Sequence, residues 1–260
     1  MSCAAALLSF GVFAFNAHAA TSVATYQFND TLDRDEIGSL PLGAVDPLTV
    51  ANFTDDVVFG VNRRVYEFGG NADPASDQGG LSLGTTGLLA APDDYSVEMI
   101  FKFFDMADQW RRIIDTQDRQ DDSGFYVAPD NKLGVYPIAS GTNIYVNGAY
   151  HHVVLTVSGN VATAYLDGQW ELSVDTDLLN LDNPNNLDGL LYFFLDNSGG
   201  SFNNEYSGGR VALIHIYDGE LTAGEAADLA AAAGVPEPAS VALLGAATVM
   251  LLGKRRVVGV

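Results

Sequence analysis

Cysteine is almost absent from this chain of 260 residues, Cys3 being the sole example. One thiol can form neither an internal disulfide nor a Cys-based zinc cluster, so the fold must rest on its core. Positive charge is scarce as well. Twelve Lys and Arg stand against 33 Asp and Glu, giving a net charge of -21 and a pI near 4.1. Nucleic-acid affinity comes mainly from Lys and Arg displacing counterions from phosphates, so such a polyanion has no nucleic-acid partner. Internal repeats and long linkers are also missing. What is present is 48% apolar residues with only 17% charged, a composition far from disorder, in a body sized for one domain.

The ends lack acids: none of the 33 lies in residues 1–20 or 239–260. An uncharged apolar run at 4–15 has the length of a secretory core and leads into Ala17-His18-Ala19-Ala20, a small-x-small cleavage pattern. The first basic residue is Arg34, a departure from the usual basic start of a leader. Residues 1–20 therefore read as a signal peptide processed at Ala19 or Ala20. At the other end, Val235-Pro236-Glu237-Pro238 precedes fifteen uncharged residues, 239–253, and then Lys254-Arg255-Arg256. As a helix, that run spans about 22 Å, against a ~30 Å hydrocarbon core. The expectation is a hydrophobic sorting helix that meets the membrane before processing, with its basic end in the cytoplasm. The three parts in this order resemble the PEP-CTERM sorting tail of Gram-negative bacteria. The resemblance implies an exosortase partner, with Pro236, Glu237 and Pro238 as the processing motif, and delivery to the cell envelope, outer surface or extracellular matrix. The plan is leader 1–20, one domain at 21–234, and tail 235–260.

Between the ends, short apolar runs alternate with Gly, Asn and Asp. Tyr95, Val97, Met99, Phe101 and Phe103 fall on one face of a strand, with Ser96, Glu98 and Lys102 opposite. Residues 152–157, 161–166 and 169–174 read as three strands joined by two tight turns, and Asp167-Gly168 suits a type I′ hairpin. Further strands are expected at 24–28, 64–68, 80–83, 111–115, 124–127, 132–136, 190–195 and 210–217. One helix is expected, opened by a capping box at Thr222 and Glu225 and stopped by Gly234. The fold class is all-β: a two-sheet antiparallel sandwich with one short C-terminal helix.

The order of the pieces carries a second resemblance. Tyr95-Ser-Val-Glu-Met, Trp110-Arg-Arg-Ile-Ile-Asp115, Ser123-Gly-Phe-Tyr-Val, His151-His-Val-Val-Leu-Thr156, Ala164-Tyr-Leu-Asp-Gly168 and Gly209 through Asp218, with Leu221-Thr-Ala-Gly-Glu225, follow one another. This series is similar to the laminin-G-like, concanavalin A-like jelly rolls and covers about residues 22–232. The resemblance implies two curved sheets, often a calcium ion at the rim, and most often binding of glycans or proteins. Some relatives are enzymes, so fold alone leaves function open.

The chemistry favours binding. Gly80-Leu-Ser82-Leu-Gly84 matches a nucleophile-elbow string but lies in a Gly-rich strand without βαβ units. Glucan-cleaving relatives carry Glu-x-Asp-x-x-Glu on one strand, and this chain has none, although carboxylates from distant strands can also pair. Calcium takes six to eight oxygen ligands. The loop 196–205 offers Asp196, Asn197, Asn203, Asn204 and Glu205, and the acidic loop 115–122 could add Asp118 and Asp122. His151 and His152 point to opposite faces, one packed and one toward water. Sugar recognition pairs flat aromatic faces with polar groups, and Trp110, Tyr126 and Tyr136 are the candidates. The reading is an exported, non-enzymatic module that binds extracellular polysaccharide or matrix glycan through a calcium-stabilised rim. A glycan-cleaving enzyme on the same fold and a purely structural matrix protein are the alternatives.

Overall fold

The computed structural model describes residues 20–36, 40–104, 109–198 and 205–236. In chain order the strands are β1 (Thr21–Tyr26), β2 (Gly43–Val45), β3 (Asn52–Val58), β4 (Val61–Phe68), β5 (Gly80–Gly84), β6 (Asp94–Phe103), β7 (Arg111–Asp115) and β8 (Gly124–Val127). They continue as β9 (Leu133–Tyr136), β10 (Ala139–Ser140), β11 (His151–Ser158), β12 (Val161–Leu166), β13 (Gln169–Asp175), β14 (Leu190–Phe193) and β15 (Gly209–Asp218), followed by the helix α1 (Ala223–Ala233). Every expected strand falls on one of these. β2 and β10 are too short to show a period, and β3 carries Asp55-Asp56 at its centre, a pair with low strand preference.

Two antiparallel sheets form the sandwich. The larger runs β13-β12-β11-β6-β15-β4-β3, with β1 also paired to β15; the smaller runs β10-β9-β8-β7-β14-β5-β2. The alternation along β6 places Tyr95, Val97, Met99, Phe101 and Phe103 in the core, where Phe125, Val127, Leu133, Val135, Leu191 and Phe193 meet them from the smaller sheet. Phe194 is a hub: its ring stacks on Phe68 at 4.3 Å and meets Phe101 at 5.1 Å and Phe103 at 5.9 Å. These contacts supply the apolar burial that a chain without disulfides needs.

The outer face of the larger sheet is partly covered. α1 lies across it, burying Ala226 and Ala230 near Val154, Tyr165, Tyr217 and Leu221. The capping box forms as expected, with the Thr222 hydroxyl accepting from the Glu225 N–H and Gly234 ending the helix at φ 85°. The β12–β13 turn makes room for it: Asp167 and Gly168 both have positive φ, as a type I′ turn requires. A Cβ on Gly168 would also sit 2.9 Å from that of Ala230. Beneath the helix, Ser96 donates to the Gly219 carbonyl at 2.9 Å and accepts from the Leu221 N–H at 2.9 Å. Glu98 is buried there, with His152 Nε2 3.0 Å from Oε1, and with His215 Nδ1 at 3.2 Å and the Tyr217 hydroxyl at 2.8 Å from Oε2.

Two expectations need correction. Among the described residues no helix is long and apolar enough to cross a membrane, so the expected C-terminal sorting helix, and the membrane contact through it, have no counterpart among them. Its apolar stretch is short of a hydrocarbon core by its own length, and residues 237–260, including Glu237 and Pro238, lie outside the described residues, as do 1–19 with Ala19. The second concerns the histidine pair. Both are buried: His151 Nδ1 is 2.7 Å from Asp167 Oδ2, while His152 turns to Glu98. The helix, the neighbouring strands and the 142–150 loop leave neither ring facing water.

The Glu98 network sets an acid dependence. Burial pushes its carboxyl upward, but hydrogen bonds from His152, His215 and Tyr217 outweigh this and hold it at about 2, below the usual 4.5. A lowered carboxyl contributes stability that is present above the unfolded value and lost as pH falls toward the folded one. Urea titrations from pH 7 to pH 2 should show Glu98→Gln less stable at neutral pH, with a shallower loss below pH 4.5 than the unsubstituted chain.

Candidate functional site

The outer face of the smaller sheet is built around a buried cation. β7 alternates poorly: Arg111 and Arg112 are both buried, and the β7–β8 pairing is irregular between Arg112 and Ile114. Arg112 turns to the outer face, where it forms a buried ion pair with Asp115 and donates to the Asp121 carbonyl at 3.0 Å. Its guanidinium lies 4.8 Å over the Tyr126 ring. A guanidinium does not deprotonate in a protein, so burial obliges acids to gather round it.

Three carboxylates converge beside it. Asp122, Asp196 and Glu205 place one oxygen each within 4.8 Å of one another. Arg112 is 3.8 Å from both Asp122 and Asp196. Asp196 is held rigidly, its carboxylate accepting the N–H groups of Asn197 at 2.8 Å and Glu205 at 3.0 Å. Arg119 donates to the Asp196 carbonyl at 2.6 Å and, through its own N–H, to Asp115 at 2.9 Å. Burial, then the charges of Asp122 and Asp196, push the Glu205 carboxyl up to about 8. Burial also raises the Asp122 carboxyl.

This donor set fits a hard divalent cation. The ligands are carboxylate oxygens, Asp122 Oδ1 is buried with no hydrogen-bond partner, and four carboxylates around two guanidiniums leave two negative charges once Glu205 gives up its proton. Of the seven residues proposed from sequence as ligands, Asp122, Asp196 and Glu205 come together. Asn197 is buried next to Asp196, and Asn203 and Asn204 lie outside the described residues. Asp118 is placed elsewhere: its carboxylate accepts the Leu187 and Asp188 N–H groups and ties down the loop before β14. Sequence reasoning missed Arg112 and Arg119. The available signal was two arginines at the start of a strand whose other residues belong to a core.

The three aromatics meet one another. Trp110 contacts Tyr126 at 5.6 Å and Tyr136 at 5.0 Å, all edge-on, and the Tyr126 hydroxyl donates to the Asp122 carbonyl at 2.9 Å. Tyr126 is buried, so it supports the cluster and offers no free face; Trp110 and Tyr136 are half-buried. Ser82 lies on β5 with its hydroxyl toward the Gly43 carbonyl, a sheet position as expected.

Two stacked antiparallel sheets, one partly covered by a helix and the other carrying loops and a carboxylate cluster, define a lectin-type β-sandwich. The model of a laminin-G-like family, described as the concanavalin A-like lectin/glucanases superfamily, matches residues 75–227, and the chain belongs to that superfamily. No curated protein matches the sequence. Among solved structures, domain 4 of AbnA, a GH43 extracellular arabinanase from Geobacillus stearothermophilus solved with arabinotriose, has a TM-score of 0.57 at 18% identity. The alignment covers 81% of this chain and 98% of that domain. The binding domain of Paraclostridial Mosquitocidal Protein 1 has a TM-score of 0.58 at 13% identity, covering 81% of this chain and 52% of that one. A botulinum neurotoxin type C structure, whose cell entry depends on interaction with two ganglioside molecules, gives 0.55 at 12% identity, covering 82% and 51%. This chain therefore spans about half the length of the toxin structures, and at these identities the likeness is one of fold.

The Glu205 carboxyl makes the cluster sensitive to alkali. A group raised in the folded state contributes stability that is complete below its unfolded value, 4.5, and lost as pH rises through about 8. With EDTA present, the melting midpoint should fall between pH 6 and pH 9, and Glu205→Gln should flatten that fall.

Proposed function

We propose that the chain is an exported, non-enzymatic module that binds extracellular polysaccharide or matrix glycan, with calcium held by Asp122, Asp196 and Glu205. The observation that carries this reading is the meeting of these carboxylates beside the Trp110–Tyr126–Tyr136 cluster on the open face of the smaller sheet. The sheet-face position is where strands and loops together present side chains outward from a rigid scaffold. Arabinotriose on the AbnA domain and gangliosides for the type C neurotoxin support a carbohydrate ligand. When bound, the ion would cancel the repulsion among the three carboxylates and tie the β7–β8 loop to the segment after β14. Asn197 is a further oxygen donor at the same place, while Asp118 is engaged in holding its own loop.

An all-oxygen donor set suits a hard cation, and calcium, which takes six to eight oxygen ligands, is the ion proposed. In melts with EDTA and with millimolar calcium, the ion should stabilise the protein by about 2.7 kcal/mol at a hundredfold excess over its Kd. Glu205→Gln and Asp122→Asn should lose that gain, and the same variants should weaken binding on a glycan array. An unchanged midpoint in the unsubstituted chain overturns the calcium reading. Release of reducing ends from an array ligand overturns the non-enzymatic one.

The leader pattern ending at Ala19-Ala20 and the Pro236-Glu237-Pro238 motif support export and exosortase sorting to the envelope or matrix of a Gram-negative cell. β1 begins at Thr21, directly after the leader, and α1 stops at Gly234, directly before the motif. The intact mass of the surface-located protein should correspond to a chain without residues 1–20 and shortened near Pro238. Recovery of all 260 residues from the envelope overturns this.

A further inference from the structure

Next to the carboxylate cluster lies a groove of about 500 Å³, walled by the β7–β8 loop, the β9–β10 turn and the loop between β13 and β14. Its size is that of a small-ligand site. One wall is apolar and exposed, formed by Pro137, Ile138 and Pro184. The opposite side is polar, and its side chains brace one another. The Asn185 N–H donates to Asn183 Oδ1 at 2.9 Å, and Asn185 Nδ2 donates to Gln117 Oε1 at 3.2 Å. Gln117 Nε2 donates to the Ser123 hydroxyl at 2.8 Å, and that hydroxyl donates to Asp121 at 2.7 Å. A continuous hydrogen-bonded relay thus joins two loops that are far apart in sequence. Gln117 and Ser123 are buried at its floor, so the polar array is set before any ligand arrives, which lowers the ordering cost of binding.

We infer that this groove is the saccharide subsite and that it takes a neutral, hydroxyl-rich glycan in preference to an acidic one. The inference rests on the glycan-binding reading and deepens it. The charged residues lining the groove are Asp121 and Asp177, and no Lys, Arg or His lines it. Carboxylates accept hydrogen bonds from sugar hydroxyls. They repel uronates, sialates and sulfates. Hydrogen bonds from the Ser123 N–H at 2.8 Å and hydroxyl at 2.7 Å fix the Asp121 carboxylate in place at the groove. The apolar wall complements the C–H face of a sugar ring, and the carboxamides of Asn183 and Asn185 offer both donors and acceptors to hydroxyls. The neighbouring residue Asp122 belongs to the carboxylate cluster, so the groove and the cation site share one loop.

The test uses the full chain with calcium on an array carrying neutral arabino-, xylo- and gluco-oligosaccharides beside oligogalacturonates, followed by titration calorimetry of the strongest hit. The expected hits are neutral. Asn185→Ala and Ile138→Ser should each weaken binding about tenfold, the loss worth one good contact; the Ile138→Ser midpoint should be unchanged because that side chain is exposed, while Asn185→Ala also removes a hydrogen bond to buried Gln117. Asp177→Lys, also exposed, should admit oligogalacturonate. A neutral hit whose affinity is the same in all three variants overturns the groove while leaving the glycan reading intact. Hits confined to oligogalacturonates overturn the ligand class alone. Silence across the whole array overturns both.

Discussion

The buried guanidinium of Arg112 is the constraint on which one whole face of the molecule depends. It has no means of shedding its charge, and its desolvation is tolerable only with acids at contact distance. Asp115 meets it directly and Asp122 and Asp196 stand 3.8 Å away. Tyr126 covers it with a ring. Once those acids are drawn in, Glu205 is brought beside them by its N–H bond to Asp196, and the region holds more negative charge than two arginines cancel. The excess is relieved by a proton on Glu205 or by a cation.

The two outer faces of the sandwich have opposite characters. Over the larger sheet, α1 and the Glu98 network exclude water and satisfy polar groups internally. Over the smaller sheet no α-helix intervenes among the described residues, and long loops bring acids, amides and half-buried aromatics to the surface. The stabilising polar network and the ligand-facing one are therefore separated by the full thickness of the core. Changes in one should act on the other only through the packed rings around Phe194.

Much of the fold was legible because its signals are local. The period of two along β6, the positive φ pair at Asp167-Gly168 and the Thr222–Glu225 box each depend on a few adjacent residues. β3 was hidden because Asp55-Asp56 masks its alternation; Arg64 and Lys102, from β4 and β6, give those acids partners that sequence does not reveal. The site was half legible for the same reason. Asp196 and Glu205 stand in a loop whose composition is that of an ion-binding turn, and Asp122 in another. Arg112 carried no sign of its buried role, and Asp118 looked like a ligand, because the partners that decide their roles are remote or are backbone groups. The histidine at 151 was misjudged through Asp167, sixteen positions away but directly across the hairpin.

The pairing of β1 with β15 has a bearing on how the molecule forms. Thr21 lies opposite Asp218, so the first strand has no partner until nearly the whole domain has been synthesised. β6 likewise waits for β15, its neighbour on one side. Closing such distant segments is entropically costly and places the fold among slow-forming β topologies. During synthesis the larger sheet stays open at its centre, with the apolar face of β6 uncovered. β15 is the piece that completes the sheet.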